Sequence, residues 1–187
     1  MKHTLLIITA LMLVVGCSSP EPINYETTLI IKNGVHYTKD TNKPYSGPVF
    51  SLRKDGSKLW EGTLKDGKQD GKWWKKYEGK KYVQIIFKDG KRHGLYIQWH
   101  DNGQKWSEKT YKNGKRDGLS TSWYENGQKN REGTYKDGEK DGKWTYWSGG
   151  EAGGEVIFQP YHKSFEGTYK KGELIEGTYW DENGNKQ

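Results

Sequence analysis

Cysteine occurs once in this chain, at Cys17. A lone thiol excludes an intramolecular disulfide and a zinc site built on several cysteines. Aliphatic bulk is also short. Only 31% of residues are hydrophobic, and there are just 4 Phe and 2 Met. That rules out a thick aliphatic core, and alone it would point to disorder. The longest apolar run, Leu5 to Val15, is too short for a spanning helix, which needs about 20 residues. The five histidines, His3, His36, His93, His100 and His162, include no pair at metal-ligand spacing. No nucleophile elbow, phosphate loop or dinucleotide fingerprint is present. Carboxylate pairs such as Glu132 with Asp137 recur with the sequence period, so none stands out as an acid–base pair. The expectation is a protein without catalytic residues, metal or cofactor.

Glycine and large aromatics are abundant: 25 Gly, 9 Trp and 13 Tyr. Aromatic rings bury a large area each and can replace aliphatic bulk. The glycines fall into registered columns. Gly67, Gly90, Gly114 and Gly138 recur every 23 or 24 residues, and so do Gly71, Gly94, Gly118 and Gly142. A third column is Gly56, Gly79, Gly103 and Gly127. A period of this length marks stacked units that cannot bury a core singly.

Each unit reads as two strands joined by glycine turns. Gly118–Tyr124 is expected as one strand, Glu125-Asn126-Gly127 as a turn, and 128–136 as the return strand before Asp137-Gly138. Asn-Gly and Asp-Gly are strong hairpin signals, because type I′ turns need positive φ at both central residues. Trp99, Trp123 and Trp147 form one column; Trp73, Tyr96 and Trp144 form another of opposite parity. The two columns therefore point to opposite faces of a sheet. Leu64, Phe87, Tyr111, Tyr135 and Tyr169 make a further column. A ladder of aromatics is the expected core, with a ligand role for an exposed Trp as the alternative. The class is all-β: an elongated, twisted sheet or solenoid of stacked hairpins. It should hold about eleven to thirteen strands and run roughly 50–60 Å at about 4.8 Å per strand.

These phrases, clearest over Asp101 to Trp147, resemble the MORN-type repeat, in the bacterial variant found in YwqK-type antitoxins. The likeness extends more weakly from Ile30 to Gly184 and includes the step Pro44-Tyr45-Ser46-Gly47. It implies an elongated hairpin sheet and no known catalysis. The label implies an antitoxin. Two departures stand out. The turn at Tyr77-Glu78-Gly79 is one residue short, and about ten residues are inserted after Trp147.

The N-terminus resembles a lipoprotein signal. Lys2 precedes the apolar run, and Val14-Val15-Gly16-Cys17 is similar to a bacterial lipobox. Residues 1–16 are then a signal peptide, 17–28 a lipidated tether and 29–187 the repeat domain. Cys17 is the expected lipidation site, since a thiolate is the natural nucleophile for a lipid donor. Ser18 is unlike the Asp that retains lipoproteins at an inner membrane. The expected location is therefore the bacterial cell envelope, at the outer membrane.

The net charge of +7 is spread as lysines around the turns, interspersed with Asp and Glu. It reads as a solvated surface or as affinity for an anionic lipid or glycan. Nucleic acid is not an expected partner for an exported chain. The insertion is either a tolerated loop or a contact element, and in the second case Val156, Ile157, Phe158 and Tyr161 are the candidate contact residues. Functionally, the chain reads as a non-enzymatic protein-interaction scaffold, with an antitoxin or immunity role as its narrower form. The alternative is a carbohydrate- or cell-wall-binding module.

Overall fold

The computed structural model describes residues 20–149 and 160–187. Its frame is a meander. Strands β4 (Gly47–Leu52), β5 (Lys58–Lys65), β6 (Lys68–Tyr77), β7 (Lys80–Lys88), β8 (Lys91–Trp99) and β9 (Lys105–Lys112) follow one another across one sheet. The order continues through β10 (Lys115–Trp123), β11 (Lys129–Lys136), β12 (Glu139–Ser148), β13 (His162–Lys170) and β14 (Glu173–Tyr179). Each pairs antiparallel with its sequence neighbour. A twelfth strand, β1 (Ile23–Asn24), adds in parallel to β4. A separate hairpin, β2 (Leu29–Lys32) with β3 (Val35–Thr38), follows the single-turn helix α1 (Tyr25–Thr28). The fold is all-β, as expected, with fourteen strands among the described residues against the eleven to thirteen that the sequence suggested.

Two turn types alternate along the sheet. On one side are two-residue turns such as Asp137-Gly138, with φ of 53° and 101°. This left-handed pair is what a type I′ turn requires, and its twist matches the flanking strands. On the other side, His100 N–H donates to the Gln104 carbonyl and Gly103 N–H to the His100 carbonyl. The Tyr124–Gln128 and Arg53–Ser57 turns repeat this pattern. The shortened turn is Glu78-Gly79, which takes the two-residue form on the side where its siblings are longer. The departure seen in the sequence is a change of turn type.

The second glycine column corrects an expectation. Gly118 does not begin a strand: β10 already starts at Lys115, and the register with β9 jumps from Arg116↔Tyr111 to Ser120↔Lys109. Asp117 and Gly118 form a bulge inside the strand, Gly118 with φ of 111°. The same two-residue excess recurs in β6, β8 and β12. Bulges bend a strand and raise its twist. Asp and Gly at these positions thus serve a bend, and hairpins are closed by the first and third glycine columns. The bulges also link units: Asp70 and Asp117 carboxylates accept from the Asp89 and Asp137 N–H groups. His93 occupies the equivalent bulge position, and its Nδ1 is buried without a partner.

The core is one face of the sheet. The columns Leu64, Phe87, Tyr111, Tyr135, Tyr169 and Trp73, Tyr96, Trp144 share it through the strand register. At the N-terminal end Leu29, Val49, Leu64 and Trp73 are buried, with Ile23, Tyr25, Tyr45, Trp60 and Phe87 packed on them. Residues 23–28, assigned to the tether from sequence, thus lie against the sheet, with Tyr25 edge-on to Trp73. At the C-terminal end the ring chain runs Tyr135–Trp144–Tyr146–Phe165–Tyr179, with centroids 4.6 to 6.0 Å apart. Each end carries the same key element. Trp73 lies over Gly62 and donates its indole N–H to the Thr63 carbonyl; Trp144 lies over Gly133 and donates to Thr134, both at 3.0 Å.

That element makes a test. A Cβ at residue 133 would sit 2.2 Å from the Trp144 ring, although the backbone there is not left-handed. Gly133→Ala is expected to destabilise by about 1–3 kcal/mol through overpacking. Urea unfolding measures this, and an unchanged midpoint would contradict the Gly–Trp stack.

Candidate functional site

The opposite face carries the second tryptophan column. Trp99, Trp123, Trp147 and Trp180 are half-buried, and Trp74 stacks on Trp99 at 6.0 Å. At or near the start of β9, β11 and β13 a lysine reaches the ring of the next unit. Lys105 lies 5.7 Å from the Trp123 centroid, Lys129 5.8 Å from Trp147 and Lys163 5.1 Å from Trp180. The same lysines pair with the glutamate three residues on, Lys105 with Glu108 at 2.6 Å, Lys129 with Glu132 at 2.7 Å and Lys163 with Glu166 at 2.8 Å. Lys58 likewise pairs with the glutamate three residues on, Glu61 at 3.7 Å, but its ring, Phe50, lies on the preceding strand. A register shift at the end of each hairpin sets it up: Trp123 pairs with Lys129, whereas Ser122 pairs with Arg131. The extra residue turns the lysine toward the face that holds the tryptophan.

Threonines complete this lattice. Thr121 Oγ1 donates to Glu132 at 3.1 Å, and Thr145 donates to Glu166 at 3.5 Å. Glu166 is the best-held acid, bridged to Lys163 and also to Lys143 at 2.9 Å. Hydrogen bonds from these two lysines hold its carboxyl below the ordinary value of 4.5. The result is a repeated strip of half-exposed indoles, ammonium groups and carboxylates. The lattice was not anticipated from sequence, yet a signal was there. Lys-x-x-Glu-x-Thr recurs at Lys58, Lys105, Lys129 and Lys163.

At the long-turn edge, side chains join one unit to the next. His100 Nε2 contacts the Trp123 carbonyl at 3.1 Å, and Tyr124 donates its hydroxyl to the Trp147 carbonyl at 2.8 Å. Arg53 donates to the Lys76 carbonyl and packs on the Tyr77 ring. The short Glu78-Gly79 turn interrupts this stack. It leaves an open cleft lined by Arg53, Lys76, Tyr77, Tyr82, His100 and Asp101.

Of the sequence-derived candidates, Cys17, Val156, Ile157 and Phe158 lie outside the described residues. Tyr161 lies within them. It is half-buried, and its hydroxyl donates to the Lys129 carbonyl at 2.8 Å. Burial pushes its phenol pKa up. Tyr161 thus ties the start of β13 to β11, and its polar atom is engaged within the chain. Among the described residues, no three His, Cys, Asp or Glu side chains are grouped to hold a metal ion, and no helix is long and apolar enough to cross a membrane.

Two expectations follow. Trp144, 1% exposed, should lose about 3–5 kcal/mol on truncation to Ala, whereas half-buried Trp123 should lose clearly less. Equal shifts in melting temperature would contradict the two-face assignment. For Glu166 the folded pKa is depressed, so its contribution is complete above the ordinary carboxylate range and disappears as pH falls through the lowered value. Glu166→Gln should therefore melt lower at pH 7, by less than about 1 kcal/mol for a surface pair. The gap should close as the pH falls through the lowered value. A gap that persists at low pH would assign the effect to packing.

Comparison with known proteins agrees with this geometry. Residues 92–113 and 116–137 each match the family model described as MORN repeat variant. The two matches cover β8–β9 and β10–β11 with their turns, so each is one hairpin of the sheet. No curated protein matches the chain significantly. The similarity to the MORN repeat variant lies in these two hairpins, and the same hairpin stacking continues on either side of them.

Proposed function

We propose that this chain is a non-enzymatic interaction scaffold of the bacterial cell envelope, anchored by lipid on Cys17, whose repeated sheet surface binds a protein partner. The observation that carries this reading is the strip of Trp, Lys and Glu on one face. Its chemistry recurs from unit to unit, and each unit adds area without adding a pocket. Extended repeat surfaces suit a partner that contacts several units at once. The lipobox-like Val14-Val15-Gly16-Cys17 supports the anchor and the outer-membrane location. The antitoxin role implied by the sequence resemblance takes, for an exported chain, the form of immunity against a toxin arriving at the envelope.

The half-exposed indole row also favours a second reading, a carbohydrate-binding face. Sugar rings stack on Trp, and successive indoles sit on alternate strands, roughly 10 Å apart. Against it, Lys105, Lys129 and Lys163 already lie near the rings. A glycan would have to displace them and break their ion pairs with Glu108, Glu132 and Glu166.

The test joins anchoring to binding. In cells fed a fatty-acid probe, the wild type should label and fractionate with membrane, and Cys17→Ser should do neither. Affinity capture from solubilised envelope should then recover a protein with wild type but not with Trp123→Ala/Trp147→Ala. Retention of the double variant on purified peptidoglycan, reduced relative to wild type, would favour the glycan reading. Unchanged probe labelling in Cys17→Ser would remove the anchor.

A further inference from the structure

The aromatic face is interrupted at its centre. In the β5–β6 and β11–β12 hairpins the paired positions are Gly62 under Trp73 and Gly133 under Trp144, and in β7–β8 Ile85 lies opposite Tyr96. In the β9–β10 hairpin the equivalent pair is Lys109 opposite Ser120. A long cation replaces glycine, and a small hydroxyl replaces indole. The adjoining row is polar here too, with Gln98, Ser107 and Ser122 where the C-terminal end has Tyr146 and Phe165. The ring chain therefore breaks into two, with a notch between them.

Four cations surround that notch. Lys109 is half-buried, its Nζ 5.3 Å from the Tyr96 centroid. Arg92 lies 5.7 and 5.5 Å from the Tyr96 and Tyr111 centroids. Arg116 lies 4.2 Å from the Tyr135 centroid and donates Nη1 to its hydroxyl at 2.7 Å. Arg131 projects from β11 opposite Ser122 and Tyr146. Burial, and then the like charges of Arg116, Arg131 and Arg92, hold the Lys109 pKa below its ordinary value. On the opposite face Lys76, Lys105, Lys129, Lys143 and Lys163 are each paired with a glutamate. Among the described residues, none of these four cations has a carboxylate partner. The side chains of Arg92, Lys109 and Arg131 make no hydrogen bond there either.

We propose that Arg92, Lys109, Arg116 and Arg131 form a binding site for a compact oxyanion of two or more charges, a phosphate group. Guanidinium forks match tetrahedral oxyanions through paired N–H donors, and the lysine adds a point charge from below. The like charges repel at Lys109, and a bound anion would relieve that repulsion. Rings supply the walls: Tyr96 and Tyr111 on one side, Tyr135 on the other. A Trp at residue 120 and a Gly at residue 109 would close the notch as at both ends of the sheet. The site stands whether or not the opposite face binds a protein.

The full chain in non-ionic detergent is titrated with pyrophosphate, against chloride at equal ionic strength, and binding is followed by calorimetry and melting temperature. Pyrophosphate should bind and raise the melting temperature beyond chloride. Lys109→Met and Arg131→Gln should each weaken binding by about tenfold, the scale of one lost charge-assisted contact. Lys109→Gly/Ser120→Trp should abolish binding while melting no lower than wild type, so loss of binding is separated from loss of fold. Micelles doped with phosphatidylglycerol or phosphatidylcholine identify the source. Binding of the anionic micelles that Lys109→Met abolishes would assign a lipid phosphate, and binding of pyrophosphate alone a soluble one. Pyrophosphate acting no differently from chloride, or equally on Lys109→Met, would overturn the site. Preference for a polyglutamate peptide over pyrophosphate would overturn its assignment to phosphate.

Discussion

The structure depends on a backbone hydrogen bond that links each tight turn to the hairpin before it. Gly90 N–H donates to the Gln69 carbonyl, Gly114 to Arg92, Gly138 to Arg116 and Gly172 to Lys140, at 2.8 or 2.9 Å. The donor lies at the second position of a type I′ turn, where left-handed φ turns the N–H outward from its own hairpin. The acceptor lies just after the previous turn. One bond per unit therefore fixes both spacing and relative rotation, and a change in turn length would break it. The 23- to 24-residue period is the chain length needed to return to this bond after two strands.

With the spacing set, the two faces diverge for packing reasons. A sheet this thin has no second layer over most of its length, so each face must satisfy itself. One does so with rings: Trp over Gly, Tyr over Trp, and arginines lying on tyrosines. The other does so with charge, holding each lysine between an indole and a glutamate. Aromatic contacts and partly shielded ion pairs each contribute modestly. Repetition makes them sufficient, because every unit supports its neighbours.

Variation between units then carries the individuality of the molecule. Units that keep Gly and Trp build the two ring clusters. The unit that substitutes Lys109 and Ser120 puts cations in place of rings at the centre of the aromatic face. The unit with the two-residue Glu78-Gly79 turn breaks the edge stack and leaves a cleft. His93, in place of an aspartate, leaves a bulge without its link to the next turn. Each departure is local, because the bond that spaces the units is made by backbone and does not depend on the side chain that changed.

Class, period, the hairpin turns and the opposed tryptophan columns were legible in the sequence, because they follow from local rules. Asp-Gly and Asn-Gly dictate their own turn, and strand parity dictates facing without knowledge of any partner. The second glycine column was misread, since a bulge and a turn both want a left-handed glycine; only pairing with the neighbouring strand distinguishes them. The tertiary structure alone decided that Lys129 lies between Trp147 and Glu132, and that residues 23–28 pack on the sheet. It alone brought Arg92, Lys109, Arg116 and Arg131 to one notch. These residues come from four strands, and their proximity follows from register, which depends on the sum of turns and bulges between them.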